Sequence, residues 1–145
     1  MIVKYNQNLR EIFVIDLQDL ISSKVDFIFG TFHVDFDPSD IVGLYSYENF
    51  KICCQYNIKK VGDSFLIKIS IRSSLPVFCD VCGNKFDYSF SLDVEEIYTS
   101  YFEYKQNIED MYYFIFNGKY LDIGKICIEN FISNLPMRFQ DGCKK

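Results

Sequence analysis

The chain has 145 residues, 49% of them hydrophobic and 18% aromatic, enough to bury one core without help from disulfides. Its formal net charge of -5 weighs against autonomous nucleic-acid binding, since affinity for a phosphate backbone comes mainly from Lys and Arg displacing counterions. No apolar run is long enough to span a bilayer, and the Met1-Ile2-Val3-Lys4-Tyr5 start has neither the apolar stretch nor the cleavage site of a signal peptide. The expectation is a single cytoplasmic domain over 1–145 with no membrane partner. In a reducing compartment the six cysteines are thiols or metal ligands rather than bridges.

In chain order, Glu11 to Ile21 reads as a strand running into a short helix. Val25 to Phe36 carries Phe27 and Phe29, then Phe32, Val34 and Phe36, a strand with Gly30 as a bulge. Asp37-Pro38-Ser39-Asp40 breaks it. Phe50, Ile52, Cys54, Tyr56 and Ile58 alternate with mostly polar neighbours, Val61-Gly62-Asp63 turns the chain, and Phe65, Ile67, Ile69 and Ile71 repeat the period. Phe86, Tyr88, Phe90, Leu92 and Val94 alternate again, making an antiparallel meander of three consecutive strands. Thr99 to Met111 is polar and acidic and reads as a loop, followed by a short strand over Tyr112 to Phe116 and a turn at Asn117-Gly118. Asp122 is an N-cap for a helix whose apolar face is Ile123, Cys127, Phe131 and Leu135, and Pro136 ends it. The fold class that follows is α+β: an antiparallel meander, strongly twisted or partly closed, with the C-terminal helix packed on it.

The one motif with chemical potential is Cys79-Asp80-Val81-Cys82-Gly83, a hairpin tip between two strands. Gly83 supplies a left-handed step beneath the second sulfur. Such a turn is half of a zinc site, a redox dithiol, or a structural turn with inert thiols. A structural zinc takes four ligands, and the remaining candidates are Cys143, Cys127, Cys53, Cys54 and His33. A redox thiol needs a helix N-terminus or a neighbouring cation, whereas Asp80 places a carboxylate between the two sulfurs. His33 has no flanking nucleophile and reads as a satisfied or solvent-facing side chain. Glu95 and Glu96 point to opposite faces of a strand and read as solvated charge. Lys59, Lys60, Lys68 and Arg72 lie in or near one hairpin, either as an RNA-contacting patch or as solubilising charge. No phosphate loop, dinucleotide fingerprint, nucleophile elbow or zinc-protease motif is present.

Two segments together resemble the YceD family, named for large ribosomal RNA subunit accumulation. The first is Cys79-Asp-Val-Cys82-Gly-Asn-Lys-Phe86 followed by Glu96-Ile-Tyr98. It is similar to the family's Cys-x-Arg-Cys-[Leu/Gly]-x-x-Phe and its later Glu with an aromatic, with Val81 in place of the Arg. The second is Leu121-Asp122-Ile123 leading through Glu129 to Leu135-Pro136, similar to the family's Ile-Asp-Leu, a helix carrying Glu, and a closing Leu-Pro. The resemblance is strongest over 50–143. It implies a non-enzymatic cytoplasmic factor that supports 23S rRNA accumulation and large-subunit assembly. Its partner would be a ribosomal protein or an rRNA-processing factor, with rRNA contact an additional mode and no small-molecule substrate. Longer relatives carry further cysteines past the Leu-Pro, including a second Cys-x-x-Cys-Gly, where this chain has only Cys143. Cys79, Cys82 and Cys143 are the candidate ligands if zinc is bound, and a four-ligand site in one subunit then needs Cys127, Cys53, Cys54, His33 or water as well. The alternatives are a thiol redox protein using Cys79 and Cys82, and a zinc-stabilised interaction module.

Overall fold

Period-2 alternation is the strongest pattern in the chain, and it becomes four long strands in a row. The structure, a computed structural model, describes residues 2–4, 13–40, 44, 46–62, 64–99, 115–116 and 120–140. After the short β1 (Ile2–Lys4) come β2 (Val14–Asp16) and the one-turn helix α1 (Gln18–Ile21). Then follow β3 (Phe27–Phe36), β4 (Phe50–Val61), β5 (Ser64–Phe78) and β6 (Lys85–Thr99). The chain closes with β7 (Ile115–Phe116), β8 (Tyr120–Asp122) and the helix α2 (Ile123–Ser133).

β3 to β6 form an antiparallel meander, and β1 joins beside β3 in parallel, giving a five-stranded sheet in the order β1-β3-β4-β5-β6. A second sheet of three strands has the order β2-β8-β7. The class is α+β. Among the described residues the larger sheet stays open, with β1 and β6 as its outermost strands, and does not close into a barrel.

One face of the sheet is apolar, as an antiparallel sheet covered on one side requires. Phe32, Val34, Phe36, Ile52, Ile58, Ile67, Ile71 and Leu75 point from it into a single core with Leu17, Leu20, Leu121, Ile123 and Phe131. Phe131 carries α2 into this core, its ring centroid 5.4 Å from Phe36, 6.1 Å from Phe50 and 4.9 Å from Phe90. Burying one such side chain contributes about 1.5–3 kcal/mol, and Ile123, Ile126 and Ile128 are buried beside it, so α2 is anchored by a whole apolar face.

The strand-then-helix reading of Glu11 to Ile21 holds as β2 and α1, and the turn at Asp37 holds, its carboxylate accepting Ser39 N–H at 3.0 Å. Four expectations need correction. The meander has four strands rather than three, because β3 pairs with β4 along its whole length from Phe27↔Lys59 to Phe36↔Phe50. That unbroken register also means that Gly30 is no bulge. Phe27 and Phe29 point outward while Phe32, Val34 and Phe36 point inward, so the change of phase marks two faces. Gly30 is needed because Tyr56 lies over it: an added Cβ would stand 2.6 Å from the Tyr56 hydroxyl oxygen. Thr99 belongs to β6 rather than to a loop. Helix α2 stops at Ser133, with Asn134 as its C-cap, before Leu135 and Pro136. The expected loop over 100–111 and the turn at Asn117-Gly118 lie outside the described residues, and of the expected strand over 112–116 only Ile115 and Phe116 are described.

Candidate functional site

The Cys79 to Gly83 turn is the tip between β5 and β6. Cys79 N–H donates to the Asn84 carbonyl at 2.8 Å and Gly83 N–H to the Cys79 carbonyl at 2.8 Å, which closes the turn with backbone alone. Gly83 sits at φ +76, the left-handed conformation that favours glycine. Val81 N–H points at Cys79 Sγ at 3.4 Å, an arrangement suited to a sulfur that carries negative charge. Cys79 is buried and Cys82 half-buried.

Asp80 ties this tip to the C-terminal stretch. Its N–H donates to the Phe139 carbonyl at 2.8 Å, and its carboxylate accepts Phe139 N–H at 3.2 Å. The Phe139 ring packs edge-on against Tyr88 at 5.1 Å. Asp80, one of the two residues between the cysteines, therefore acts as a clasp.

The other end of β6 meets α2 at a small cleft of about 200 Å³ lined by Glu96, Tyr98, Ile126, Glu129, Asn130 and Ser133. Strand alternation puts Glu96 and Tyr98 on the inner face with Val94, while Glu95 faces out. The opposite-face reading of the two glutamates holds. Glu96 is not simply solvated, however: it is half-buried and accepts the Tyr98 hydroxyl. The alternation that runs through Val94 extends to Glu96 and Tyr98, and that is the sequence signal for this site. Within the cleft Asn130 and Ser133 each donate to a carbonyl one turn back, Ile126 and Glu129, at 2.8 and 2.7 Å. The cleft's chemistry is thus that of two carboxylates framed by tied-back polar groups.

Glu96 and Tyr98 come from the first segment of the YceD resemblance and Glu129 from the second. No family model, curated protein or solved structure matches this chain. The site is therefore read from its own geometry.

The other sequence candidates fall elsewhere. Cys54 and Cys127 meet inside the core, where a hydrogen bond between the two thiols, burial and the nearby Asp122 carboxylate push Cys127 far above the ordinary thiol value. Cys53 and His33 stand opposite each other on the outer face of the sheet. Among the described residues, no group of three His, Cys, Asp or Glu side chains converges as metal ligands. A zinc ion at the turn would find two thiols of the four ligands a structural site takes, and Cys143 lies outside the described residues. A redox thiolate lacks its usual support, since Cys79 and Cys82 sit between strands rather than at a helix start. Of the basic residues, Arg72 pairs with Asp93 at 3.0 Å and Lys60 donates to the Ile21 carbonyl at 3.3 Å, while Lys59 and Lys68 line open grooves on the outer face. Among the described residues, no helix is long and apolar enough to cross a membrane.

Proposed function

We propose that the chain is a non-enzymatic, cytoplasmic ribosome-biogenesis factor that supports 23S rRNA accumulation and large-subunit assembly by binding. One observation carries this reading: three residues of the YceD resemblance, Glu96 and Tyr98 on β6 and Glu129 on α2, far apart in sequence, line one cleft, while the Cys79 to Phe86 turn lies at the far end of β6. The meeting of the first segment's Glu96 and Tyr98 with the second segment's Glu129 is what a shared binding role asks of polar positions in separate segments. Two carboxylates framed by amide and hydroxyl groups suit a Lys or Arg side chain, and ribosomal proteins are rich in both. Electrostatic complementarity of this kind fixes partner choice and speeds encounter more than it adds affinity.

Depletion of the protein, followed by profiling of ribosomal subunits and 23S precursors, tests the role. The expected result is a deficit of large subunits that the natural chain restores and a Glu96→Lys, Glu129→Lys chain does not. Unchanged large-subunit levels on depletion would refute it.

A zinc-stabilised interaction module is the second reading, favoured by the Val81 N–H aimed at Cys79 Sγ. It requires about one zinc per chain, and metal analysis of untreated protein returning well under half an equivalent removes it.

A further inference from the structure

The phase change at Gly30 leaves two phenylalanines with no core to enter. Phe27 is 49% exposed and Phe29 69%. Their rings lie 5.5 Å apart and inclined by 36° on the outer face of β3. Strand register places rows of side chains beside them. Phe27 is followed across the sheet by Lys59, Leu66 and Ile97, Phe29 by Asn57, Lys68 and Glu95, and Thr31 by Gln55, Ser70 and Asp93. Phe27, Phe29, Gln55, Asn57, Lys68 and Ser70 share an open groove of about 670 Å³. A second groove of about 470 Å³, also lined by Phe27, Asn57 and Lys68, continues it toward Lys59.

We propose that this outer face binds a single-stranded nucleic acid, with bases stacked on Phe27 and Phe29 and phosphates met by Lys59 and Lys68. Exposed aromatic rings on an open sheet, amide side chains beside them and lysines at the rim are the three parts of a stacking platform. Gln55 and Asn57 each offer both donors and an acceptor to a base edge. A peptide partner would instead need closed apolar pockets for its side chains, and this groove is shallow.

The negative net charge does not decide the matter locally. Charges beyond about 8 Å are screened at physiological salt; on this face two acids are answered by cations, while Glu95 stands across from Lys68 and Asp26 shares the second groove with Lys59 and Lys68. Asp93 lies 3.0 Å from Arg72 and Asp35 lies 4.0 Å from Lys51. Among the described residues, Lys59 and Lys68 make no ion pair.

This site is separate from the Glu96 and Glu129 cleft. Only the preference for RNA over DNA rests on the role proposed above. The test is fluorescence anisotropy of the full chain with a labelled mixed-sequence oligonucleotide of about ten nucleotides, as RNA and as DNA, long enough to cover both rings. Wild-type protein binds, and Phe27→Ala with Phe29→Ala weakens binding by roughly tenfold or more. With two phosphate contacts, affinity falls roughly sevenfold between about 50 and 200 mM salt, and Lys68→Gln flattens that slope. All three residues are exposed, so unchanged circular dichroism and melting show that the variants fold. Absence of binding by the natural chain, or equal binding by the double Phe variant, overturns the proposal. So does a face that takes an acidic peptide and no oligonucleotide. Equal affinity for RNA and DNA, with binding still lost in the Phe variant, supports the stacking face and counts only against the ribosomal reading.

Discussion

One carboxylate oxygen of Asp122 accepts two backbone N–H groups, that of Lys125 at 3.0 Å and that of Phe13 at 3.1 Å. The first caps α2, and the second holds the residue that leads into β2, more than a hundred positions earlier in the chain. Gly124 N–H returns the link by donating to the Phe13 carbonyl at 3.2 Å. Because Asp122 is buried, removing its oxygens leaves two donors without their partner. Asp122→Ala is expected to lower the unfolding free energy by about 2–3 kcal/mol, with Asp122→Asn losing less because one acceptor remains. Urea denaturation measures both, and a loss below about 0.5 kcal/mol would show that water replaces the carboxylate at no cost.

Tyr56 over Gly30 yields the next prediction. A Cβ at position 30 meets the end of the Tyr56 ring, with the hydroxyl oxygen at 2.6 Å and the adjoining ring carbon at 2.9 Å. Gly30→Ala is expected to cost about 1–2 kcal/mol by overpacking, against the small gain a strand makes on losing a glycine. In a Tyr56→Val background the clash disappears and the same change becomes neutral or stabilising. A thermal-melt double-mutant cycle reads the coupling, and identical effects in both backgrounds would mean that the ring is not what Gly30 accommodates.

How far the sequence speaks depends on whether a signal is local. β4, β5 and β6 were legible because apolar and polar residues alternate cleanly in each, and the Cys79 to Gly83 tip because strands flank a turn that needs a left-handed glycine. Asp122 was legible as a cap from its place before an apolar helical face. Its second hydrogen bond to Phe13 was not, since only the folded chain brings β2 and β8 together. Phe27 and Phe29 misled because a phase shift inside one strand admits two causes, a bulge or a change of buried face, and the choice depends on the register with β4. The Glu96 and Glu129 cleft was half legible: alternation turns Glu96 inward, but nothing local to β6 says that α2 lies opposite.

The Asp80 clasp predicts a selective loosening. Phe139→Ala removes a largely buried ring packed on Tyr88, a change expected to cost about 3–5 kcal/mol where the site cannot collapse and less at this edge of the core. The informative readout is hydrogen exchange at two neighbouring amides. Asp80 N–H bonds to Phe139 and Cys79 N–H to Asn84, so the first is expected to exchange faster in the variant, in conditions where the second stays protected. Equal acceleration of both would mean that the C-terminal stretch and the turn open together.

Cys127 gives the pH dependence. Its hydrogen bond with Cys54, its burial and the Asp122 carboxylate all disfavour the thiolate in the folded chain, whereas the unfolded thiol ionises near about 8.5. Above that pH the unfolded state holds fewer protons than the folded one, so the stabilisation present below about 8.5 is lost progressively as pH rises toward the folded value, by up to about 1.4 kcal/mol per pH unit for this single group. Denaturation midpoints at a series of pH values from neutral to alkaline are expected to fall, and Cys127→Ala is expected to start from lower stability yet decline less steeply. The same burial predicts the order of alkylation in the folded protein: the half-buried Cys53 and Cys82 react before Cys54 and Cys127, which become reactive only on unfolding. Rapid labelling of Cys127 in native protein, or a Cys127→Ala variant with an unchanged alkaline slope, would place that thiol in contact with water and remove the link between its proton and the packing of α2 on β4.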